Sequence, residues 1–375
     1  MTGLAAALGA LYGGLFLVAE SELAVLGLVA AGAGAAFAAE RFGWLERLRA
    51  AVAHRESAAN GLALAGVALL VVLFREDHYV LFLIGIVLVY FVACLGLNVQ
   101  LGLAGVLNFA AASFVGVGCY TAAVLATHTG APHLLILLAG GLVAAVIGSL
   151  LILPVLRTSG HYAALVTIAF ALLFKTFLEV NDALGGPQGL QVPGMELLGW
   201  QFNDNWELAG AEISFYVSYA LLSLALAAGA FSLCRRLERS WIGLNMDAIR
   251  LDETASACFG LDIARWKIVA FTVGNFLAGL AGALYGMMLG FIAPANFSFG
   301  DSLILVSIVL LGGVGNPWGI ALATAIVVVL PEKLQIIQEY RFLLYASMVI
   351  LMLLFRPEGL LPRRLRIYIP GWRPR

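Results

Sequence analysis

Apolar residues run through this chain in long blocks, broken by short polar intervals, with no sign of a helical stripe facing a soluble core. The blocks fall at about 3–19, 23–39, 60–74, 79–100, 107–127, 133–153, 162–180, 212–233, 268–290, 302–316, 318–332 and 342–356. A run of roughly 17 to 25 such residues, coiled as an α-helix, crosses a hydrocarbon layer about 30 Å thick. The pattern predicts an all-α, polytopic transmembrane helix bundle of about 10–12 spans. The short alternating segments of a membrane barrel are not what it shows. Residues 107–127 and 302–332 are rich in Gly and Asn, which predicts broken or re-entrant helices whose free backbone is buried in protein.

One polar interval stands apart. Residues 235–267, RRLERSWIGLNMDAIRLDETASACFGLDIARWK, form the long charged segment between two apolar blocks. Read as a helix, it gathers Leu244, Ala248, Leu251, Ala255 and Phe259 into one apolar stripe with Glu253 opposite. Asn245 can cap its start, and Gly260 can end it in a left-handed conformation. Such a segment is either a solvated connection or a docking helix that takes force from a soluble partner. Three regions follow: a two-helix unit with a basic amphipathic linker at 1–59, a core at 60–362 that contains this candidate docking segment, and a tail at 363–375. Residues 41–56 in the linker carry Trp44 among basic residues, a composition suited to the headgroup layer.

Composition sharpens the class. With 62% hydrophobic residues, 11% charged and a mean hydropathy of +0.99, the chain lies outside the range of soluble domains. The net charge of -1 says little beside the placement of charge, and nothing points to nucleic acid. Of the 21 Lys and Arg, four lie in 41–59, six in 235–267 and six in 356–375. Residues 181–211 hold none, yet carry Asp182, Glu196, Asp204 and Glu207. The positive-inside rule therefore puts 181–211 outside, and the charged segment and both termini on the cytoplasmic side. Cys94, Cys119, Cys234 and Cys258 show no framework spacing and are expected as free thiols. The first basic residue is Arg41, so the N-terminus reads as a retained span.

The chemistry of an enzyme is not spelled out. The five histidines make no metal-ligand pattern, and no GxSxG elbow occurs, so no catalytic residue, metal or cofactor is expected. Thr158-Ser159-Gly160-His161 suits a helix cap. The run Gly312 to Gly319 lacks the Lys-Ser/Thr ending of a phosphate loop and predicts a tight break between two short helices. Ala278, Gly282 and Gly286 share a helix face that another helix should meet closely. Lys175 and Glu179 stand one turn apart and can pair, and Asp301 heads a span. A faint echo links Asn108-Phe109 and Ser113-Phe114 with Asn296-Phe297-Ser298-Phe299. Asn108, Ser113, Thr167 and Asn296 put polar groups in apolar, Gly/Ala-rich surroundings; they line a translocation path or bond neighbouring helices.

These residues together resemble the membrane permease subunits of branched-chain amino acid ABC transporters. The family's docking segment has the form G-R-x-x-x-A-I-R-x-N/D-E-x-A-A-x-x-x-G, matched here by Gly243, Ala248, Ile249, Arg250, Asp252, Glu253, Ala255 and Gly260. Lys267 and the run Ala278-Gly279-Leu280-Ala281-Gly282 follow, then Ile292-Ala293-Pro294, Gly312-Gly313-Val314-Gly315 and Phe355-Arg356-Pro357-Glu358-Gly359-Leu360. Upstream the likeness takes in Gly116-Val117-Gly118-Cys119-Tyr120-Thr121, the stretch Tyr162 to Phe170, and Gly185-Gly186-Pro187-Gln188-Gly189-Leu190. It departs at Leu244 and Asp247, where the family usually has Arg, and at Asn108-Phe109-Ala110-Ala111, which replaces a Ser-Leu-Gly-His run. The resemblance implies a transport subunit with no catalysis of its own. It would pair with a second related permease, dock two cytoplasmic ATP-binding subunits on the coupling helix at 243–260 and its equivalent in that partner, and receive its amino acid from an external substrate-binding protein. Urea or short amides as cargo, and an ion-coupled secondary carrier, are the alternatives.

Overall fold

The computed structural model describes residues 56–156, 161–197, 199–204, 206–208 and 211–333, with scattered positions between 9 and 34 and between 340 and 363. Expectations for the first two spans, the 41–56 linker, the Thr158–Gly160 cap, the last span and most of the tail lie outside these residues. The helices are α1 (Glu56–Leu73), α2 (His78–Asn98), α3 (Ala111–His128), α4 (His133–Leu156), α5 (His161–Val180) and α6 (Tyr216–Arg239). After them come α7 (Trp241–Leu251), α8 (Glu253–Cys258), α9 (Ile263–Leu289), α10 (Phe299–Gly312) and α11 (Pro317–Lys333). Among the described residues, six helices are long and apolar enough to cross a membrane: α2 with its extension, α3, α4, α5, α6 and α9. The expected all-α polytopic bundle is what the chain forms.

The chain divides into two compact units. The first comprises Met1–Val89, Gly194–Gly229 and Val328–Arg341. In it, two short antiparallel hairpins pair Glu196–Leu197 with Trp200–Gln201 and Trp206–Leu208 with Ala211–Ile213. Tyr219 holds the first of these against α6: its hydroxyl accepts from Met195 N (2.8 Å) and donates to Asn203 Oδ1 (2.9 Å).

The second unit comprises Tyr90–Pro193, Ala230–Val327 and Phe342–Arg375. Its centre is α9, packed between α3 and α4. The three axes come close because glycines face backbone at the crossings. A Cβ on Gly118 would strike the Gly279 backbone, and one on Gly282 would strike the Val115 carbonyl. Gly140 lies against Gly118 and Ala283, and Gly279 lies against the Gly140 carbonyl and Ala144. Helices in lipid gain little from hydrophobic burial against each other, so contact at backbone distance is the main source of their cohesion. The small-residue face expected at Ala278, Gly282 and Gly286 does meet α3: Ala278 is buried and Gly286 abuts the Cys119 sulfur. Gly279, one position round the helix, stands between Gly118 of α3 and Gly140 of α4.

The broken helices are also present. The last turn of α2 widens into a π-helical turn, Val99–Leu103, and residues 104–110 then run irregularly to α3. Between α10 and α11, Gly313 and Gly315 take φ values of 105° and 89°, which a side chain disfavours. Asp301 closes a capping box with Ser298 at the head of α10, a structural duty for that carboxylate. Lys175 and Glu179 pair at 3.5 Å. Cys94, Cys119 and Cys234 are buried free thiols, and Cys258 is an exposed one.

Gly118→Val should drive α3 and α9 apart at their closest point. We expect a loss of at least about 1–3 kcal/mol of stability, read as a lower thermal unfolding midpoint of the detergent-purified protein.

Candidate functional site: a charged two-helix segment beside a buried amide cluster

Between the end of α6 and the start of α9, the 235–267 interval folds as two short helices where the sequence suggested one. Ser240 caps α7, its hydroxyl accepting from Gly243 N at 3.4 Å, so the helix begins before Asn245. At Asp252 the backbone turns extended (φ -157°, ψ 109°), and the Asp252 carboxylate caps α8 by accepting from Ala255 N at 2.9 Å. The break follows from chemistry: Asp accepts N–H groups best outside a helix, so it ends one and starts the next. Gly260 ends α8 with φ 81°, and Leu261 N reaches back to Ser256 O at 3.1 Å, as in a Schellman turn.

The two faces of this segment differ. Gly243, Met246 and Ile249 are buried, with Gly243 seated on the Leu237 carbonyl at the end of α6. The expected stripe is broken and turned outward. Leu251 is 66% and Phe259 88% exposed, with Trp241 and Leu244 also exposed. Ala248 is partly covered; Asp252, Glu253, Ala255 and Gly260 are exposed. Glu253 is tied to the start of α9 by Lys267 at 2.7 Å.

Arg250 points inward. Its stem packs on the irregular segment after the π-turn, where a Cβ on Gly105 would lie 3.0 Å from Arg250 Cγ. Burial lowers its pKa, helped by the nearby Arg363 and opposed by Asp247, though a guanidinium stays charged throughout the physiological range.

Three residues beyond Gly105 begins the polar centre of the unit. Gln100 on the π-turn donates to Asn275 Oδ1 (2.9 Å) and to Phe271 O (3.2 Å) on α9. Asn108 donates to Gln100 Oε1 (2.8 Å) and Asn275 Oδ1 (3.4 Å), and its own Oδ1 accepts from Ala110 N (2.9 Å). Thr167 of α5 accepts from Phe109 N at 3.1 Å. All four side chains are buried, and Asn275 Nδ2 has no partner as it sits against Gly148 of α4. Beyond this cluster α3 and α5 are lined with rings. Phe114 stacks on Phe170 (5.2 Å), Phe170 on Phe174 (6.2 Å), and Tyr120 meets Phe297 edge-on (6.0 Å). Two buried hydroxyls there, Ser113 Oγ and Tyr120 Oη, are unpartnered.

Of the four path candidates, the structure brings Asn108 and Thr167 together and buries Ser113 one turn into α3. Asn296 lies apart and exposed, in the turn Pro294–Phe297. That turn follows a short pairing of Leu190–Gln191 with Phe291–Ile292, which brings two of the distant sequence motifs side by side.

The profile of the family described as branched-chain amino acid transport system / permease component matches residues 79–355. The chain belongs to that permease family. It is 35% identical over 289 residues to the high-affinity branched-chain amino acid transport system permease protein LivM of Salmonella typhimurium, covering 73% of this chain and 68% of that one. A probable LivM of Methanocaldococcus jannaschii is 23% identical over 330 residues, covering 73% of this chain and 91% of the relative. The permease LivH of Salmonella typhimurium is 22% identical over 292 residues, with the same coverage. No solved structure matches the chain. The protein is thus a multi-pass membrane permease, a transport subunit.

Gln100, Asn275 and the Asp247–Arg363 ion pair were missed by sequence reasoning. A signal existed for Asn275, an amide inside an apolar Gly/Ala-rich span, the criterion that selected Asn108. Gln100→Leu should leave Asn108 and Asn275 without their shared partner and cost about 1–2 kcal/mol, the scale of polar contacts between membrane helices. Thr127→Val, which removes only a bond to its own helix at Ala123 O, should leave the unfolding midpoint of the purified permease nearly unchanged.

Proposed function

We propose that this permease is the membrane-spanning subunit of an ABC importer that moves branched-chain or related amino acids inward. It pairs with a second, related permease and is driven by two cytoplasmic ATP-binding subunits. An external substrate-binding protein delivers the solute. The observation that carries the reading is the two-faced α7–α8 segment. Its outer face presents Trp241, Leu244, Leu251 and Phe259 uncovered in a charged, water-suited stretch, a surface that suits a soluble partner. Its inner face rests, through Arg250, on the backbone that leads into the amide cluster.

The path residues suit an apolar amino acid. Fully buried polar groups among the described residues are uncharged amides and hydroxyls, and the ring column beside them offers surface to a branched aliphatic side chain. Asn108, Ser113, Thr167 and Asn296 are assigned to this path. Gly243, Ala248, Ile249, Arg250, Asp252, Glu253, Ala255 and Gly260 are assigned to ATPase coupling. Placing α7–α8 and both termini in the cytoplasm agrees with the Lys and Arg distribution. Alternating access then follows from ATP-driven closure of the paired ATPases, which displaces the coupling segments and rocks the rigid α3–α4–α9 core. Urea or short amides are the second cargo to test, because a cluster of three carboxamides would hydrogen-bond them equally well.

Phe259→Asp should abolish retention of the ATPase subunit during purification and cut transport-linked ATP hydrolysis about tenfold or more, with membrane insertion intact; normal hydrolysis would refute the docking role. Glu253→Arg, which breaks the link to Lys267, should act in the same direction. For the path, Thr167→Val should lower leucine uptake about tenfold, the effect of losing ~1.4 kcal/mol, and unchanged uptake kinetics would remove Thr167 from it.

A further inference from the structure

Residue Arg363 lies just past the last motif shared with the family, at the start of what the sequence presents as a tail. Its side chain is 7% exposed. A buried guanidinium costs several kcal/mol unless its donors are met by anions in good geometry. Here they are met by three elements at once. Nη1 and Nη2 bind both oxygens of Asp247 on α7, at 2.6 and 2.8 Å, in a bidentate fork. Nε reaches Glu238 at the end of α6 (3.4 Å), and Nη1 also donates to Gly102 O (3.3 Å) in the π-turn of α2. Glu238 in turn takes Arg235 Nη1 at 2.5 Å, so each of the two carboxylates is held by a guanidinium.

The backbone around Arg363 is anchored separately. Leu360 N donates to Leu311 O (2.8 Å), Leu361 N to Gly312 O (3.2 Å), and Asn316 Nδ2 to Leu361 O (3.0 Å). The Arg363 stem lies on Gly315, where a Cβ would collide with its Cδ. Gly315 N donates to Asn98 Oδ1 (2.8 Å), on the last turn of α2.

We propose that Arg363 is a positioning residue for energy coupling. It clamps α7 to the π-turn that carries Gln100 and to the α10–α11 break, so that displacement of α7 moves the amide cluster. Without the clamp, α7 can shift under an ATPase while the π-turn stays behind. The proposal rests on the reading of α7–α8 as the docking element, and it predicts a loss of coupling rather than a loss of docking.

The test uses the complete transporter in proteoliposomes, with leucine uptake and ATP hydrolysis measured on the same preparation. Arg363→Ala and Asp247→Ala should each retain ATPase binding and hydrolysis, while leucine moved per ATP falls about tenfold. Because the two residues act as one pair, Asp247→Ala/Arg363→Ala should be no worse than the poorer single variant. Arg363→Lys, which keeps the charge and loses the fork, should be intermediate, and it serves if the alanine variants fail to accumulate. Leucine per ATP within about twofold of the parent in the Arg363 variants, or losses that multiply in the double variant, would overturn the clamp. Phe259→Asp separates the two ideas. If it keeps its ATPase bound, the docking reading fails. If it loses the ATPase while the Arg363 variants stay fully coupled, the clamp alone fails.

Discussion

Backbone that leaves a helix among apolar helices must find its hydrogen bonds inside the protein, because no water is there to supply them. This chain meets that requirement with short amide and hydroxyl side chains. Asn98 accepts from Gly315 N, Gln100 donates to Phe271 O, Asn108 accepts from Ala110 N, and Thr167 accepts from Phe109 N. Ser302 accepts from Ala112 N, and Asn316 serves both Trp318 N and Leu361 O. Among the described residues of the second unit, Asn98, Gln100, Asn108, Thr167 and Ser302 are thus buried polar groups that serve a break. Polar residues that look like a solute path are, in the first place, what allows the helices to be interrupted. The two roles are compatible, since a group that holds a broken backbone in place can exchange that bond for one to a passing zwitterion.

The glycine crossings give those breaks something rigid to move against. With α3, α4 and α9 touching at backbone distance, there is no soft side-chain layer to absorb a displacement. The π-turn and the 104–110 segment lie at the rim of this core, joined to it by Gln100 and to α7 by Arg250 and Arg363. Compliance is thus confined to short irregular segments, and each is bracketed by a charged contact on one side and an amide contact on the other. A core that yielded would dissipate motion before it reached Asn108.

Fold class and most helix limits were legible in the sequence because a span needs only length and apolarity, and both are local properties. The break at Gly313–Gly315 was legible for the same reason: the glycines and Pro317 announce it directly. The single coupling helix was misread because periodicity continued across Asp252. An apolar stripe at helical spacing does not reveal that a carboxylate at its middle prefers to cap, and Leu251 at the end of α7 and Phe259 just past α8 both face outward. Gln100 and Asn275 are 175 residues apart, so their pairing is tertiary and left no local mark. Arg363 was the least legible. It sits in a basic, Pro-flanked stretch that reads as solvated, and only the presence of Asp247 in place of the family's usual Arg hinted that this chain needs a cation from elsewhere.

Where charge is placed also decides what kind of machine this can be. Within the second unit, apart from the exposed Lys175–Glu179 pair on α5, the described ion pairs collect at α6, α7, α8, the start of α9 and the Arg363 segment, while the fully buried polar groups are neutral. A carrier that couples to an ion gradient needs a site where that ion binds and titrates or balances charge along the path. A permease driven from outside needs instead stiff, charge-locked contacts where force enters and a path neutral enough not to trap its cargo. The arrangement of Asp247, Arg363, Glu238 and Arg235 beside an uncharged Gln100–Asn108–Asn275 centre has the second form. It accounts for why the same few residues at the end of α2 take part in both, with Gly102 offering its carbonyl to the clamp two positions from the amide that holds α9.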